Sequence, residues 1–307
     1  MGMEQGEIVS KLCLGTVQFG QRYGIKNELG RQPTPEECFA ILDEARARGI
    51  QYLDTASKYG TAEHVLGAYG LAKKDFRVCS KLRPDDTRRS AEDEKACIVS
   101  EARASLARLG ISRLYGFMLH QASDIHRSGV IEGLIEVKRL GLAEHVGSSV
   151  YEPEETVLLL DNPEMDIVQI PYNALDQRWD RWGFFEKVQV RRAEGHPFEV
   201  FARSVFLQGA LLMNPDRLPI KLACAKVYLQ RFQDIAARYG FRPFEAAMLY
   251  ALTHSGIDHV VFGVDTEEQL AENLAVAAKA EAFANCAAEL RGAFDDVPHE
   301  IVMPNLW

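Results

Sequence analysis

Four titratable side chains fall at the ends of three short apolar runs. Gly49-Ile50-Gln51-Tyr52-Leu53 closes on Asp54, and Tyr59 follows five residues later in a loop ended by Gly60. Phe76-Arg77-Val78-Cys79-Ser80 runs into Lys81, and Phe117-Met118-Leu119 runs into His120. Each has an ordinary explanation when taken alone. Asp caps helices and opens turns, Tyr fills gaps, a strand-end Lys is solvated, and a lone His is hydrogen-bonded in place. A carboxylate, a phenol, an ammonium and an imidazole at the same end of three successive strand candidates read instead as one proton-transfer site.

Such a site needs a scaffold that brings strand ends together. Short apolar runs at 11–14, 52–54, 76–80, 114–119, 145–149, 167–170, 199–202 and 259–262 alternate with helical patterns. Those patterns cover 63–71, 94–109, 130–140, 153–160, 182–192, 222–239 and 243–253, and another helix starts at 267. The first helix is announced by Thr34-Pro35-Glu36-Glu37, a capping box with Pro at the first helical position. Apolar strands alternating with helices imply a parallel sheet covered on both faces. Eight such units imply closure, so the expected fold is α/β, a (β/α)8 TIM barrel, with the whole chain 1–307 as a single domain. An open doubly wound sheet is the competitor, but no Gly-x-Gly-x-x-Gly follows any strand. Chemistry in a barrel sits at the C-terminal strand ends, where Ser149 and Gln169 join Asp54, Lys81 and His120.

The net charge of −9 argues against a nucleic-acid partner, which needs a basic face. No run reaches the roughly 18 apolar residues of a membrane span, and Met1-Gly2-Met3-Glu4 opens no basic, apolar leader. Six scattered cysteines without Cys-x-x-Cys spacing read as small core residues of a reducing, cytoplasmic compartment. His120 and His126 lack a third ligand, so no metal is expected. The pairs Arg88-Arg89 and Arg191-Arg192 read as solvated faces. Oligomeric state is not legible.

From Gly15-Thr16 to Glu272-Asn273 the chain resembles the aldo-keto reductases, with Asp54, Tyr59, Lys81 and His120 on that family's catalytic tetrad. The resemblance implies hydride transfer between a nicotinamide dinucleotide and a carbonyl or its alcohol. A phenol of pKa about 10 is a slow acid near neutrality, so Tyr59 needs Lys81 to lower it, with Asp54 holding the ammonium. His120 would donate to the same oxygen. The resemblance puts Gly15, Thr16, Ser149, Gln169, Arg203, Ser204, Phe206, Gln208, Gly263, Val264, Asp265, Gln269, Glu272 and Asn273 around the dinucleotide. Val150 stands where an Asn is common, and Arg203 where many members stack a Tyr. The resemblance implies NADP(H), yet Asp265 and Gln269 occupy positions that hold a 2′-phosphate through Lys or Arg elsewhere, which points nearly as strongly to NAD(H). Phe19, Tyr23 and Trp179 are candidates to line the substrate pocket, Trp179 equally a core residue. Gly15-Thr16-Val17-Gln18-Phe19-Gly20 and the segment 203–209 resemble a bacterial subgroup of sugar and polysaccharide metabolism, so a sugar-derived or other small carbonyl is the expected partner. A nucleotide-binding regulatory or redox-sensing protein with little turnover is the alternative.

Overall fold

All eight apolar runs form strands in the computed structural model, which describes residues 5–24, 29–85, 87 and 89–307. Met1–Glu4 and Arg88 lie outside the described residues. The strands are β1 (Leu12–Gly15), β2 (Tyr52–Asp54), β3 (Arg77–Leu82), β4 (Leu114–Leu119), β5 (Ala143–Ser149), β6 (Ile167–Pro171), β7 (Glu199–Arg203) and β8 (His259–Gly263). They pair in parallel in sequence order, and β8 pairs with β1 to close the barrel. The register puts the polar strand ends on one rim: Gly15 beside Asp54, Lys81 beside Met118, Ser149 beside Gln169, and Pro171 beside Arg203.

Alternation along each strand divides the apolar side chains between two layers. Cys13, Tyr52, Cys79, Tyr115, Met118, Ile167 and Phe201 fill the inside of the barrel. Their neighbours Leu12, Leu14, Leu53, Val78, Phe117 and Val168 join the larger layer under the helices. The inside is packed tightly enough that a Cβ on Gly116 would come within 2.9 Å of Cys79 Sγ and 2.8 Å of Ile167 Cδ1. The barrel is therefore a plug and not a pore.

The helix Pro35–Ala47 begins with the expected reciprocal cap: Thr34 Oγ1 accepts from the Glu37 N–H, and the Glu37 carboxylate accepts from the Thr34 N–H at 2.7 Å. The helix expected at 182–192 is instead two, Arg178–Arg181 and Phe184–Ala193, because Gly183 between them takes a left-handed φ of 69°. The region 222–239 opens with a 3-10 segment, Ile220–Ala225, before the helix Lys226–Arg238. Arg191 is no solvated side chain. It is 5% exposed, with its guanidinium donating to the carbonyls of Leu159, Leu160, Asn162 and Met165. The six cysteines are all unpaired, but Cys224 is exposed and so departs from the expected core role.

Candidate active site

The rim residues surround a cavity of about 510 Å³, large enough for an organic ligand. At its inner end Asp54 and Lys81 form an ion pair of 2.5 Å, and both are almost wholly buried. Asp54 Oδ1 also accepts from Gln169 Nε2 at 2.7 Å, and Lys81 Nζ donates to the Thr55 carbonyl at 3.0 Å. Burial pushes the Lys81 ammonium down, but Asp54 and Tyr59 outweigh it, so the group is held above its ordinary value. The amine is thus charged at every working pH.

Tyr59 and His120 lie above this pair and line the cavity. Their rings meet edge to face with centroids 5.5 Å apart, and Lys81 Nζ is 5.3 Å from the centre of the Tyr59 ring. The Tyr59 loop is held by close backbone packing. The Gly20 carbonyl accepts from the Thr61 N–H at 3.3 Å, and a Cβ on Gly20 would fall 1.6 Å from the Tyr59 carbonyl oxygen. The phenol pKa is pushed up to about 12, not down as expected. Burial raises it, Asp54 and Tyr23 add to that, and the lowering by Lys81 and Arg203 does not compensate. His120 goes the other way, to about 3, through burial and the positive charges of Lys81, Arg203 and Arg83. At neutral pH the pair is a protonated phenol and a neutral imidazole, so both can donate a hydrogen bond to one oxygen placed between them.

The remaining wall follows the rim. Gly15, Thr16, Ser149, Gln169, Arg203, Ser204, Phe206, Gln208, Gly263, Asp265, Gln269, Glu272 and Asn273 all face the cavity, as does Tyr23. Lys81 stands behind the wall, and Val264, expected beside the dinucleotide, packs into the core and does not line the cavity. Two further expectations are corrected. Phe19 is fully buried beneath the loop after β1, and Trp179 is fully buried against Phe184, with ring centroids 5.2 Å apart. Neither lines the cavity, and neither does the tail, where Trp307 Nε1 donates to the Glu300 carbonyl. Gln18, Gln21, Tyr151, Leu212 and Phe244 also belong to the wall and were missed, because a sequence does not say which way the side chains of a loop or of a helix end turn.

Two features fit a bound dinucleotide. Ser204, Leu207 and Gln208 are the non-glycine residues with left-handed φ among those described, at 60°, 49° and 53°. Such backbone costs about 1–3 kcal/mol per residue and persists at ligand-holding loops. Gln18, a wall residue, keeps a buried amide oxygen with no partner among the described residues, packed beside Gly263. At the far end the Gln269 side chain accepts from the Asp265 N–H at 2.7 Å, and Thr266 caps the helix Glu267–Ala275. Asp265 and Glu272 make this end acidic. Among the described residues no group of three His, Cys, Asp or Glu side chains is arranged to hold a metal, and no helix is long and apolar enough to cross a membrane.

The sequence profile of the aldo/keto reductase family matches residues 11–288. An uncharacterized oxidoreductase, YqkF of Bacillus subtilis, is 26% identical over 258 residues, covering 78% of this chain and 82% of its own. A D-threo-aldose 1-dehydrogenase of a Pseudomonas species is 26% identical over 189 residues, covering 50% of this chain and 57% of its own. Among solved structures, the holo form of aldo-keto reductase AKR11C1 from Bacillus halodurans superposes with a TM-score of 0.71 at 21% identity, over 94% of this chain and 95% of that one.

Proposed function

The chain belongs to the aldo/keto reductase family and is an oxidoreductase, and from that premise we propose that it reduces a small aldehyde or ketone, with Tyr59 as proton donor. The observation that carries this is the meeting of Tyr59 and His120 on the cavity wall above the buried Lys81–Asp54 pair. A bound nicotinamide dinucleotide supplies the hydride. Everything else falls to this chain's side chains. Neutral His120 donates one N–H to the carbonyl oxygen and orients it, and Tyr59 O–H delivers the proton as negative charge develops there. Lys81 then stabilises the phenolate, and Asp54, held by Gln169, keeps the ammonium in place. With the phenol pushed up to about 12, the resting group is protonated at pH 7, the state that proton donation to a carbonyl requires.

Gly15, Thr16, Ser149, Gln169, Arg203, Ser204, Phe206, Gln208, Asn273 and the loop from Gly263 would hold the dinucleotide, with Tyr23 toward the substrate. Family membership favours NADP(H). Asp265, with Gln269 committed to the loop backbone, opposes a 2′-phosphate and brings NAD(H) level with it. A preference for NADPH of a hundredfold or more in binding, about 2.7 kcal/mol, would sink that reading of Asp265. A sugar-derived carbonyl is the favoured substrate, on the likeness to the aldose dehydrogenase. Free cysteines throughout support a reducing, cytoplasmic setting, and we take the whole chain as one barrel domain. The test is Tyr59→Phe, which is expected to lower aldehyde turnover by about 10³-fold or more while dinucleotide affinity, read by tryptophan fluorescence, stays within about twofold. Wild-type rates in Tyr59→Phe on every active aldehyde would end the assignment.

A further inference from the structure

Glu63 is a buried carboxylate with no part in the proton transfer derived above. It sits in the first turn of the helix Ala62–Tyr69, four residues after Tyr59, and is 3% exposed. Its Oε1 accepts from Ser80 Oγ at 2.6 Å, and its Oε2 accepts from Arg108 Nε at 2.6 Å. Ser80 directly precedes Lys81 on β3 and is fully buried. Side chains alternate along a strand, so Ser80 faces the helices while Lys81 points inward to Asp54. One carboxylate therefore joins the strand that carries the ammonium to the helix that begins beside the phenol.

Backbone bonds tighten the same link. The Ser57 N–H donates to the Lys81 carbonyl at 2.9 Å, and the Ala62 N–H donates to the Tyr59 carbonyl at 3.0 Å. Farther along, a Cβ on Gly67 would fall 2.1 Å from the Arg108 carbonyl oxygen, so this helix meets the helix Ala91–Leu109 backbone to backbone. Ala62 and Leu66 already bury an apolar stripe. Seating the helix asks for no charge, since a well-packed apolar side chain avoids the cost of desolvating an ion. What apolar packing lacks is direction. A short bond between a hydroxyl and a carboxylate holds one geometry, where apolar surfaces slide. We propose that Glu63 is a positioning residue for the proton step: by tying the helix beside Tyr59 to Ser80, it sets how far the phenol stands from the Lys81 ammonium. Lys81 Nζ lies 5.3 Å from the centre of the Tyr59 ring. A displacement of about 1 Å there changes both the attraction of the ammonium for the developing phenolate and the aim of the O–H.

This rests on the reductase reading and adds a residue to it. The test uses the full chain with saturating NADH or NADPH and a panel of small aldehydes that includes butanal and glyceraldehyde. Ser80→Ala cuts the tie at its far end and leaves Glu63 paired with Arg108. Leu66→Ala loosens the same helix without touching the tie. Both are assayed well below their melting temperatures. Ser80→Ala is expected to lower kcat about tenfold or more, with dinucleotide affinity within about twofold of the wild type. Its solvent deuterium isotope effect on kcat is expected to be larger, because proton delivery has slowed. Leu66→Ala is expected to keep kcat within about twofold and the isotope effect of the wild type. Ser80→Cys, which keeps the volume and leaves only a weak donor, carries the Ser80→Ala expectations if that variant does not fold. Equal losses of kcat in Ser80→Ala and Leu66→Ala overturn this proposal alone, because Glu63 then serves only the scaffold. So does a kcat in Ser80→Ala within about twofold of the wild type, or an isotope effect that does not move. Failure of the wild type to reduce any aldehyde of the panel overturns the reductase reading, and this proposal with it.

Discussion

His120 is neutral for two reasons that act together, burial and three nearby cations, and in the proposed reaction this suits it to donate a hydrogen bond and not to act as an acid. Its value of about 3 implies that its ring signals in a proton NMR titration stay constant from pH 5 to 8. A midpoint near the ordinary 6.5 would show a solvated imidazole instead. The sign for stability follows. Between about 3 and 6.5 the unfolded chain takes up a proton at this residue that the native state refuses, so its contribution weakens the fold as pH falls through that window. Lys81 presents the opposite situation, a cation kept charged by its partner. Lys81→Met strands the buried Asp54 carboxylate, and we expect a loss of about 3–5 kcal/mol in denaturant unfolding. A loss below about 1 kcal/mol would mean that water reaches the pair.

Elements matter here through the loops that leave them. The loop after β1 and the loop after β2 touch at Gly20 and Tyr59, so the phenol proposed as proton donor is aimed by a residue with no chemistry of its own. Gly20→Ala must displace the Tyr59 backbone, and kcat on any active aldehyde is expected to fall at least about tenfold, more than a modest drop in melting temperature explains. Unchanged kcat in a folded Gly20→Ala would show that the loop adapts. The strands were legible because parallel strands buried on both faces stay apolar throughout, and Asp54, Lys81, His120, Ser149 and Gln169 stood out as polar exceptions at their ends. Loop aromatics were not legible. A sequence places Phe19 and Trp179 near the rim but cannot say which way they point, and both turn into the core. The acidity of Tyr59 was misjudged for a related reason: Lys81 was visible, while the burial that outweighs it is a property of the assembled site.

At the scale of the whole barrel, the end away from the cavity is closed by polar side chains over the packed interior. Tyr115 donates to the Glu199 carboxylate at 2.6 and 2.7 Å, His259 Nε2 lies 3.3 Å from the same group, and Arg77 donates to Tyr52 Oη at 2.7 Å. Beside them His145 Nδ1 lies 3.2 Å from Asp166, which also takes Lys138 Nζ and the Val146 N–H. Burial pulls the His145 pKa down, but Asp166, with Glu199 and Glu144, raises it above the ordinary value. A raised histidine stabilises the fold fully below about 6.5 and loses that contribution as pH climbs through its native value. Melting temperature is therefore expected to decline as pH rises above about 6.5, and His145→Gln to flatten that decline. The same slope in the variant would assign it to another group. Because Tyr52, Tyr115 and Phe201 stopper the shaft from within, nothing reaches or leaves the well through the interior of the barrel. For two ligands that both enter at the rim, the deeper one must arrive first and depart last, so a product seated above would delay the release of whatever lies beneath it.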